Sequence, residues 1–194
     1  MFANRYTAFI DACSLTGALK RDLLLTLAKA EFFRVRWSAP VLDEMERAVA
    51  GILAARSDRA STAKAAATRA TMERMFSDAM VTDFERLRCV VLDLPDPKDI
   101  HVVAAALQTR ADVIVTDNVR HFPESILAPL GMEVRTTDDF LANTIELAPV
   151  KAASAIDAMR RLYKRPELDQ SAFLVTLEAR ELIEVANALK PFFA

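Results

Sequence analysis

Glycine is scarce in this sequence: Gly17, Gly51 and Gly131 are the three among 194 residues. The loops that cradle nucleotide phosphates in dinucleotide-binding and P-loop proteins require several closely spaced glycines. Three widely separated glycines can form neither loop, so both nucleotide-binding classes are excluded. Few glycines also indicate a chain with few tight turns and much helix.

The sequence also has few cysteines, no net positive charge and no long apolar run. Cys13 and Cys89 lie in apolar runs, so we expect two buried, inert thiols, with no disulfide framework and no zinc site. The formal net charge of −2 does not indicate nucleic-acid binding, although a local basic patch and a metal could still bind RNA. No apolar run approaches the roughly 18 residues of a membrane span, and the first residues lack a signal-peptide pattern. We therefore expect a cytoplasmic protein with no membrane partner.

The remaining sequence alternates between short β-favouring runs and helical periodicity. Strands are predicted at Tyr6–Ile10, Phe33–Trp37, Cys89–Leu94, Asp112–Thr116 and Met132–Val134. Helices are predicted at residues 15–30, after Ser38, at 56–79, at 99–109, and from a capping box formed by Thr136 and Asp139. Such alternation predicts an α/β fold of three layers, α/β/α, with a central parallel sheet covered on both faces.

Pro149 marks a predicted boundary between two parts of the chain. We expect an α/β domain over residues 1–148 and a C-terminal helical extension over residues 149–194. The extension contains two predicted helices, at 150–163 and 171–189, joined around Arg165-Pro166. Their apolar faces could pack on the domain or receive a partner helix, and packing is the simpler expectation.

Four acidic residues fall near the carboxyl ends of the predicted strands, where ligands bind in an open parallel sheet. They are Asp11, Glu44, Asp99 and Asp117. Carboxylates held close together repel one another unless a cation neutralises them, and oxygen ligands select hard cations such as Mg²⁺ or Mn²⁺. Such an ion can activate a water and stabilise an in-line phosphoryl displacement. The pattern favours a metal-dependent hydrolase of phosphodiesters.

Each acid also has a purely structural interpretation. Asp99 lies in a good helix start, with Asp96 as the N-cap, and Glu44 could be a solvated partner of a helix dipole. Asp117 could belong to a turn. Asp11 is hardest to explain structurally, because a charge inside the apolar run FIDAC requires a partner or a metal.

These acids lie in four segments that occur in a characteristic order. The segments are FIDACSL with Asp11, SAPVLDEM with Glu44, LPDPKDIHVVAAAL with Asp99 and ADVIVTDNVRHFP with Asp117. In order and spacing, residues 6–145 closely resemble the PIN-domain family, as found in the toxins of VapC-type toxin–antitoxin pairs. The C-terminal helices resemble the helical region of one VapC-like subgroup.

The resemblance implies a PIN-like fold and a Mg²⁺- or Mn²⁺-dependent endoribonuclease, commonly a homodimer, held inactive by an antitoxin protein. It places Asp11, Glu44 and Asp99 among the metal-site acids. Many members carry the fourth acid two residues after the threonine, where this chain has Asn118, so Asp117, Asn118 or both could approach the metal.

Other side chains near these acids are weaker candidates. Thr116 could contribute a hydroxyl, and Arg120 and His121 could meet a phosphate at the rim. His101 is expected on a helix surface or at an interface. The cations between Arg56 and Arg74 spread around their helix, which favours a solvated surface over RNA contact.

Two other functions remain open at this stage. A haloacid-dehalogenase-like phosphatase also begins with an aspartate at a strand end, but it normally carries a second acid or threonine where this chain has Cys13. A PIN-like domain kept only to bind RNA or protein would be expected to have lost its acids, and at least three are present.

Overall fold

The centre of the protein is a five-stranded sheet in which every strand is parallel to its neighbours. The computed structural model describes residues 6–90, 93–164 and 167–193. The strands are β1 (Thr7–Ile10), β2 (Arg34–Ser38), β3 (Met80–Val81), β4 (Val113–Val115) and β5 (Glu133–Arg135). Their spatial order is β3-β2-β1-β4-β5. The predicted parallel α/β/α fold is confirmed.

Helices connect the strands and continue beyond the sheet. They are α1 (Ala12–Thr16), α2 (Ala18–Lys29), α3 (Ala39–Ala55), α4 (Ser61–Met75), α5 (Ile100–Gln108), α6 (Glu124–Leu127), α7 (Thr137–Leu147), α8 (Pro149–Arg160), α9 (Gln170–Glu178) and α10 (Ile183–Leu189). Short 3₁₀ turns lie at Pro97–Asp99, directly before α5, and at Val119–His121, after β4.

The core is built around the central strand, β1, and its neighbour β4. All four residues of β1 and all three of β4 are buried, because each of these strands has neighbours on both edges and helices on both faces. Phe9, Trp37 and Phe122 are among the largest fully buried side chains. The core thus holds the carboxyl ends of β1 and β4 rigidly side by side.

Several predicted elements differ from the structure. The third strand is Met80–Val81, and Cys89 and Val90 instead belong to the 3₁₀ helix Glu85–Val90, with Cys89 exposed. The prediction of a strand and a buried thiol there is therefore wrong for the part of this run that the structure describes, which is not paired with the sheet. Residues 91–92 lie outside the described residues.

Helix boundaries shift where local backbone geometry ends a helix. The predicted helix at 15–30 is interrupted at Gly17, which stands between α1 and α2 in an extended conformation. The predicted helix at 171–189 is interrupted at Glu181, whose φ is 60°. Ser38 occupies the N-cap position of α3 as predicted, but its buried hydroxyl makes no capping bond.

The C-terminal helices pack on the rest of the chain. α8 contacts α2, and α10 contacts α7. The predicted joint at Arg165-Pro166 lies outside the described residues. None of the helices in the described ranges has both the length and the apolar character needed to cross a membrane.

Candidate active site

The carboxyl ends of β1 and β4 lie side by side at the point where the strand order reverses direction, and the space outside them is called the crevice. Ile10 pairs with Val115 in the parallel register, and the Asp11 amide donates to the Val115 carbonyl at 3.0 Å. The next residue of each chain segment, Asp11 and Thr116, therefore faces the other across this point. Open α/β sheets bind their ligands at such a position.

Asp11 is buried at this point and is held by three donors. Its side chain is the N-cap of α1, with Oδ1 accepting from the Ala12 amide at 2.7 Å. Its Oδ2 accepts from the Thr116 hydroxyl at 2.7 Å and from the Cys13 thiol at 3.1 Å. The carboxylate is thus fixed in place by neutral groups.

No lysine or arginine of the described ranges forms an ion pair with Asp11. A carboxylate that is only 6% exposed and has no protein cation beside it is costly to bury. Hydrogen bonds from three neutral donors offset part of that cost. The arrangement fits a carboxylate whose negative charge is balanced by a bound cation.

Asp99 lies at the start of α5 and approaches the same crevice. Burial raises the pKa of Asp99 above its ordinary value, the hydrogen bond from His121 opposes this, and the nearby Asp11 carboxylate raises it further. His121 Nδ1 lies 2.8 Å from Asp99 Oδ2. The Asp99 carboxyl is therefore close enough to Asp11 to be affected by its negative charge.

Asp96 completes a compact group with Asp99 and His121. One potential ligand atom of each residue lies within 4.8 Å of the others. Asp96 also serves as the N-cap predicted from the sequence, because its side chain accepts from the Lys98 amide. Its proximity to His121 was not predicted, since the two residues approach only once the loops after β4 and before α5 are folded.

Glu44 makes a separate contact. Its Oε1 lies 3.2 Å from Nε2 of His101, in the first turn of α5. Among the described residues, Glu44 is not part of the group formed by Asp96, Asp99 and His121. His101 is buried, so the expectation of a surface or interface histidine is wrong.

Asp117 is committed to structural contacts. Its Oδ2 accepts from Lys20 Nζ at 2.7 Å, and its Oδ1 accepts from the Thr137 amide at the start of α7 at 3.1 Å. Burial alone would raise the pKa of Asp117, but the hydrogen bonds from Lys20 and Thr137 outweigh burial and lower it. Both carboxylate oxygens are occupied by donors, whereas Asn118 is exposed next to Thr116.

Cys13 is a site residue that the sequence did not reveal. Besides donating to Asp11, its sulfur accepts from the Asp117 amide at 3.2 Å and lies 3.2 Å from the Thr116 hydroxyl. Burial and the adjacent Asp11 carboxylate raise the pKa of Cys13 to about 11, which keeps the thiol protonated. Its position two residues after Asp11 was the available signal, but the apolar surroundings favoured an inert role.

Arg120 and the arginine at the middle of α4 differ in their contacts. Arg120 is exposed in the turn that carries His121, so it is accessible to an anionic ligand. On α4, by contrast, Arg69 forms ion pairs with Asp43, Glu46 and Glu73. The surface of α4, which we predicted to be solvated, therefore has at its middle an arginine, Arg69, whose charge is neutralised by acidic side chains of the protein.

The fold and the crevice together define an α/β protein with a carboxylate-rich site at the sheet edge. The donor set of carboxylate oxygens and one imidazole fits a hard or borderline divalent cation. The sequence profile described as "PIN domain" matches residues 7–120, and one described as "VapC50 C-terminal domain" matches residues 137–191. The chain belongs to the PIN-domain family, as its motifs predicted.

One curated relative is similar in sequence to part of this chain. A protein of Mycobacterium tuberculosis named "Putative ribonuclease VapC50" is 38% identical over 80 residues, which cover 41% of this chain and 47% of the relative. The alignment thus spans about half of the relative's length. No solved structure matches the chain. Membership of the PIN-domain family leaves no support for the alternative of a haloacid-dehalogenase-like phosphatase.

Proposed function

We propose that this protein is a Mg²⁺- or Mn²⁺-dependent endoribonuclease and the toxin of a toxin–antitoxin pair. The observation that carries the proposal is the buried Asp11 carboxylate, held by neutral donors beside Asp99 at the point where the sheet order reverses. The PIN-domain match and the relative named as a ribonuclease support RNA as the substrate.

We propose that the metal site draws on Asp11 and Asp99, and that Glu44 of α3 contributes to it. Asp117 is a weaker candidate than the sequence suggested, because Lys20 and Thr137 occupy its oxygens. A divalent cation in such a site supplies Lewis-acid stabilisation of the charge that develops on a phosphodiester and makes water more acidic.

The surrounding side chains have distinct proposed tasks. Thr116 and Cys13 hold the Asp11 carboxylate in one orientation through hydrogen bonds to Oδ2. His121 orients Asp99 and, with the exposed Arg120, forms a rim that can contact a phosphate of the RNA backbone. Asn118 is exposed next to Thr116, and its side-chain amide can donate to the substrate.

We also propose how the chain is organised, with what it assembles and where it acts. We divide the chain into a nuclease domain over residues 1–148 and a helical extension over residues 149–194. We propose a cognate antitoxin as protein partner, a homodimeric assembly, and a cytoplasmic location where RNA substrates occur. The match of residues 137–191 to the C-terminal profile supports a toxin of this subgroup.

The experiment is a cleavage assay with the full chain, a single-stranded RNA containing a loop, and Mg²⁺ or Mn²⁺. We expect cleavage that EDTA abolishes and that Asp99→Asn reduces at least about a hundredfold, because loss of a charged ligand removes metal affinity. Asp78→Asn, which neutralises an exposed aspartate, is the matched control and should cleave like the wild type.

The alternative function is a PIN-like module that binds RNA or protein without cleaving it. That alternative predicts RNA binding that is unaffected by EDTA and no cleavage products with either metal. Wild-type cleavage by Asp99→Asn, with the fold intact by circular dichroism, would overturn the proposed site. Growth of a strain expressing the chain without an antitoxin would count against the toxin role.

A further inference from the structure

His101 is a buried polar residue in the apolar part of α5. Its side chain is 9% exposed, and the neighbouring Val102 and Val103 are fully buried. Nε2 lies 3.2 Å from Glu44 Oε1. In the part of the chain that the structure describes, Nδ1 is buried without a hydrogen-bond partner. Burying a polar side chain costs free energy, so the contact with Glu44 is the interaction that compensates for it.

The environment of the two ring nitrogens selects one tautomer. A hydrogen on Nδ1 would be a buried donor with no acceptor, whereas a hydrogen on Nε2 faces the carboxylate of Glu44. Unsatisfied buried N–H groups are rarer and more costly than unsatisfied acceptors. His101 therefore donates through Nε2 to Glu44.

Glu44 gains a fixed orientation from this bond. Its side chain is 39% exposed, and an exposed glutamate otherwise samples several rotamers. His101, 57 residues further along the chain, belongs to the first turn of the helix whose N-cap is Asp99. The bond thus ties the carboxylate of one helix to the start of the helix that carries another acid of the site.

We propose that His101 is a positioning residue that fixes Glu44 for metal binding, an inference that rests on the proposed function. It acts through Glu44 and does not touch the substrate, because its imidazole is buried. A metal-site carboxylate or histidine that lacks its hydrogen-bonding partner loses affinity or activity by about 10- to 100-fold.

The bond itself can be tested by nitrogen NMR, without reference to activity. The chain contains two histidines, so His121→Gln leaves His101 as the sole source of imidazole signals. We expect the tautomer protonated at Nε2, and we expect Glu44→Ala to shift the Nε2 resonance. A tautomer protonated at Nδ1, or a spectrum that Glu44→Ala leaves unchanged, would contradict the proposal.

Two substitutions of His101 separate positioning from simple packing. Glutamine places its amide nitrogen where Nε2 lies, whereas asparagine places it near Nδ1 and cannot reach Glu44. We expect His101→Asn to lower Mn²⁺ affinity in calorimetry and kcat in RNA cleavage, each about tenfold, with KM changed less than about twofold. His101→Gln should stay within about threefold of the wild type in both measurements.

A double-mutant cycle shows whether His101 acts through Glu44. In a Glu44→Ala background, His101→Asn should produce no further loss of Mn²⁺ affinity, because the two residues serve one interaction. Additive losses, or equal losses in His101→Asn and His101→Gln, would identify a packing role and overturn the inference. Urea denaturation of each variant verifies that the fold is retained.

The outcomes also separate this inference from the proposed function. If the wild type neither binds Mn²⁺ nor cleaves RNA, the proposed function fails and the positioning role fails with it. If the wild type binds and cleaves while His101→Asn does so equally well, only the positioning role fails.

Discussion

Asp11 illustrates how a single residue can be both buried and charged in this fold. Its carboxylate accepts from a backbone amide, a hydroxyl and a thiol, each at 3.1 Å or less. Thr116 links this group further, because its oxygen also accepts from the Asn118 amide at 3.1 Å. One hydroxyl therefore fixes the acid and the backbone of the loop that follows β4.

Thr116→Val removes that hydroxyl while keeping the shape of the side chain. We expect the free energy of unfolding of the metal-free protein to fall by about 1.5–3 kcal/mol, the usual contribution of a hydrogen bond to a charged group. Urea denaturation measures this change. Thr68→Val is the control, since the Thr68 hydroxyl donates to the Lys64 carbonyl one turn earlier in α4 and not to a charged group. Equal effects of the two substitutions would contradict the role given to Thr116.

At the residue scale, the sequence predicted where the acidic residues lie better than it predicted which side chains they contact. Asp11 and Asp99 could be placed because a strand end and a helix start are local features. The bond between Lys20 and Asp117 joins residues 97 apart and depends on packing that no local pattern encodes. The same holds for Glu44 and His101.

At the scale of the elements, some helices are capped by residues of their own first turn and others by residues distant in sequence. The capping box of α7 was predictable, since Thr136 accepts from the Asp139 amide three residues later. The start of α10 is capped from another helix: Asp138 accepts from the amides of Glu184 and Val185, both at 2.9 Å. This contact fastens the last helix to α7.

Asp138→Ala should weaken the attachment of α10. Loss of an N-capping carboxylate costs about 1 kcal/mol, and we expect the free energy of unfolding to fall by that amount. Hydrogen exchange should increase first at the amides of Glu184 and Val185. Asp138→Asn keeps one acceptor oxygen, so its free energy of unfolding and its exchange rates should lie between those of Asp138→Ala and the wild type. Unchanged hydrogen exchange in Asp138→Ala would rule out the cap.

Asp157 joins α8 to α9 and makes this joint sensitive to acid. Burial alone would raise the pKa of Asp157, but hydrogen bonds from Arg160 and Gln170 lower it. A carboxyl group with a lowered folded pKa stabilises the protein above its unfolded pKa of about 3.9, and this stabilisation is lost as the pH falls through the folded value.

Asp157→Asn should therefore destabilise the protein in a pH-dependent way. We expect a loss of about 1 kcal/mol near pH 7 that becomes smaller below about pH 4, where the carboxyl of the unfolded wild type begins to bind a proton, and that disappears as the pH falls through the lower folded pKa. Urea midpoints measured from pH 7 down to pH 3 test this. A loss of constant size across the range would show that the charge of Asp157 does not contribute; Asp78→Asn again serves as the control.

The third strand shows why element prediction failed in one place. β3 is a two-residue edge strand, Met80–Val81, which is too short to produce a recognisable alternation. The longer apolar run at 89–94 satisfied the pattern but does not pair with the sheet in its described part. The segment that pairs with β2 is decided by the three-dimensional fold. The sequence pattern alone therefore favoured the longer run at 89–94 over the two residues that form β3.

At the scale of the whole molecule, the strand order explains why the acids converge. With β1 and β4 at the centre, chain segments separated by about a hundred residues end at one crevice. Alternation of strands and helices predicted a parallel sheet, and parallel strands bring their carboxyl ends to one edge. The order of the strands, which decides which acids become neighbours, came only from the structure.

A cation bound in this crevice should stabilise the entire fold. A ligand that binds only the folded state, at a free concentration a hundredfold above its Kd, adds about 2.7 kcal/mol, which for a chain of this size raises Tm by about 5–10 °C. We expect Mn²⁺ to raise the Tm of the wild type and of Asp78→Asn in calorimetric scans after EDTA treatment. Asp11→Asn and Asp99→Asn should each lose most of this shift, because each removes a carboxylate from the proposed site. If both variants respond to Mn²⁺ as the wild type does, the ion binds elsewhere, and the crevice between β1 and β4 is not the metal centre.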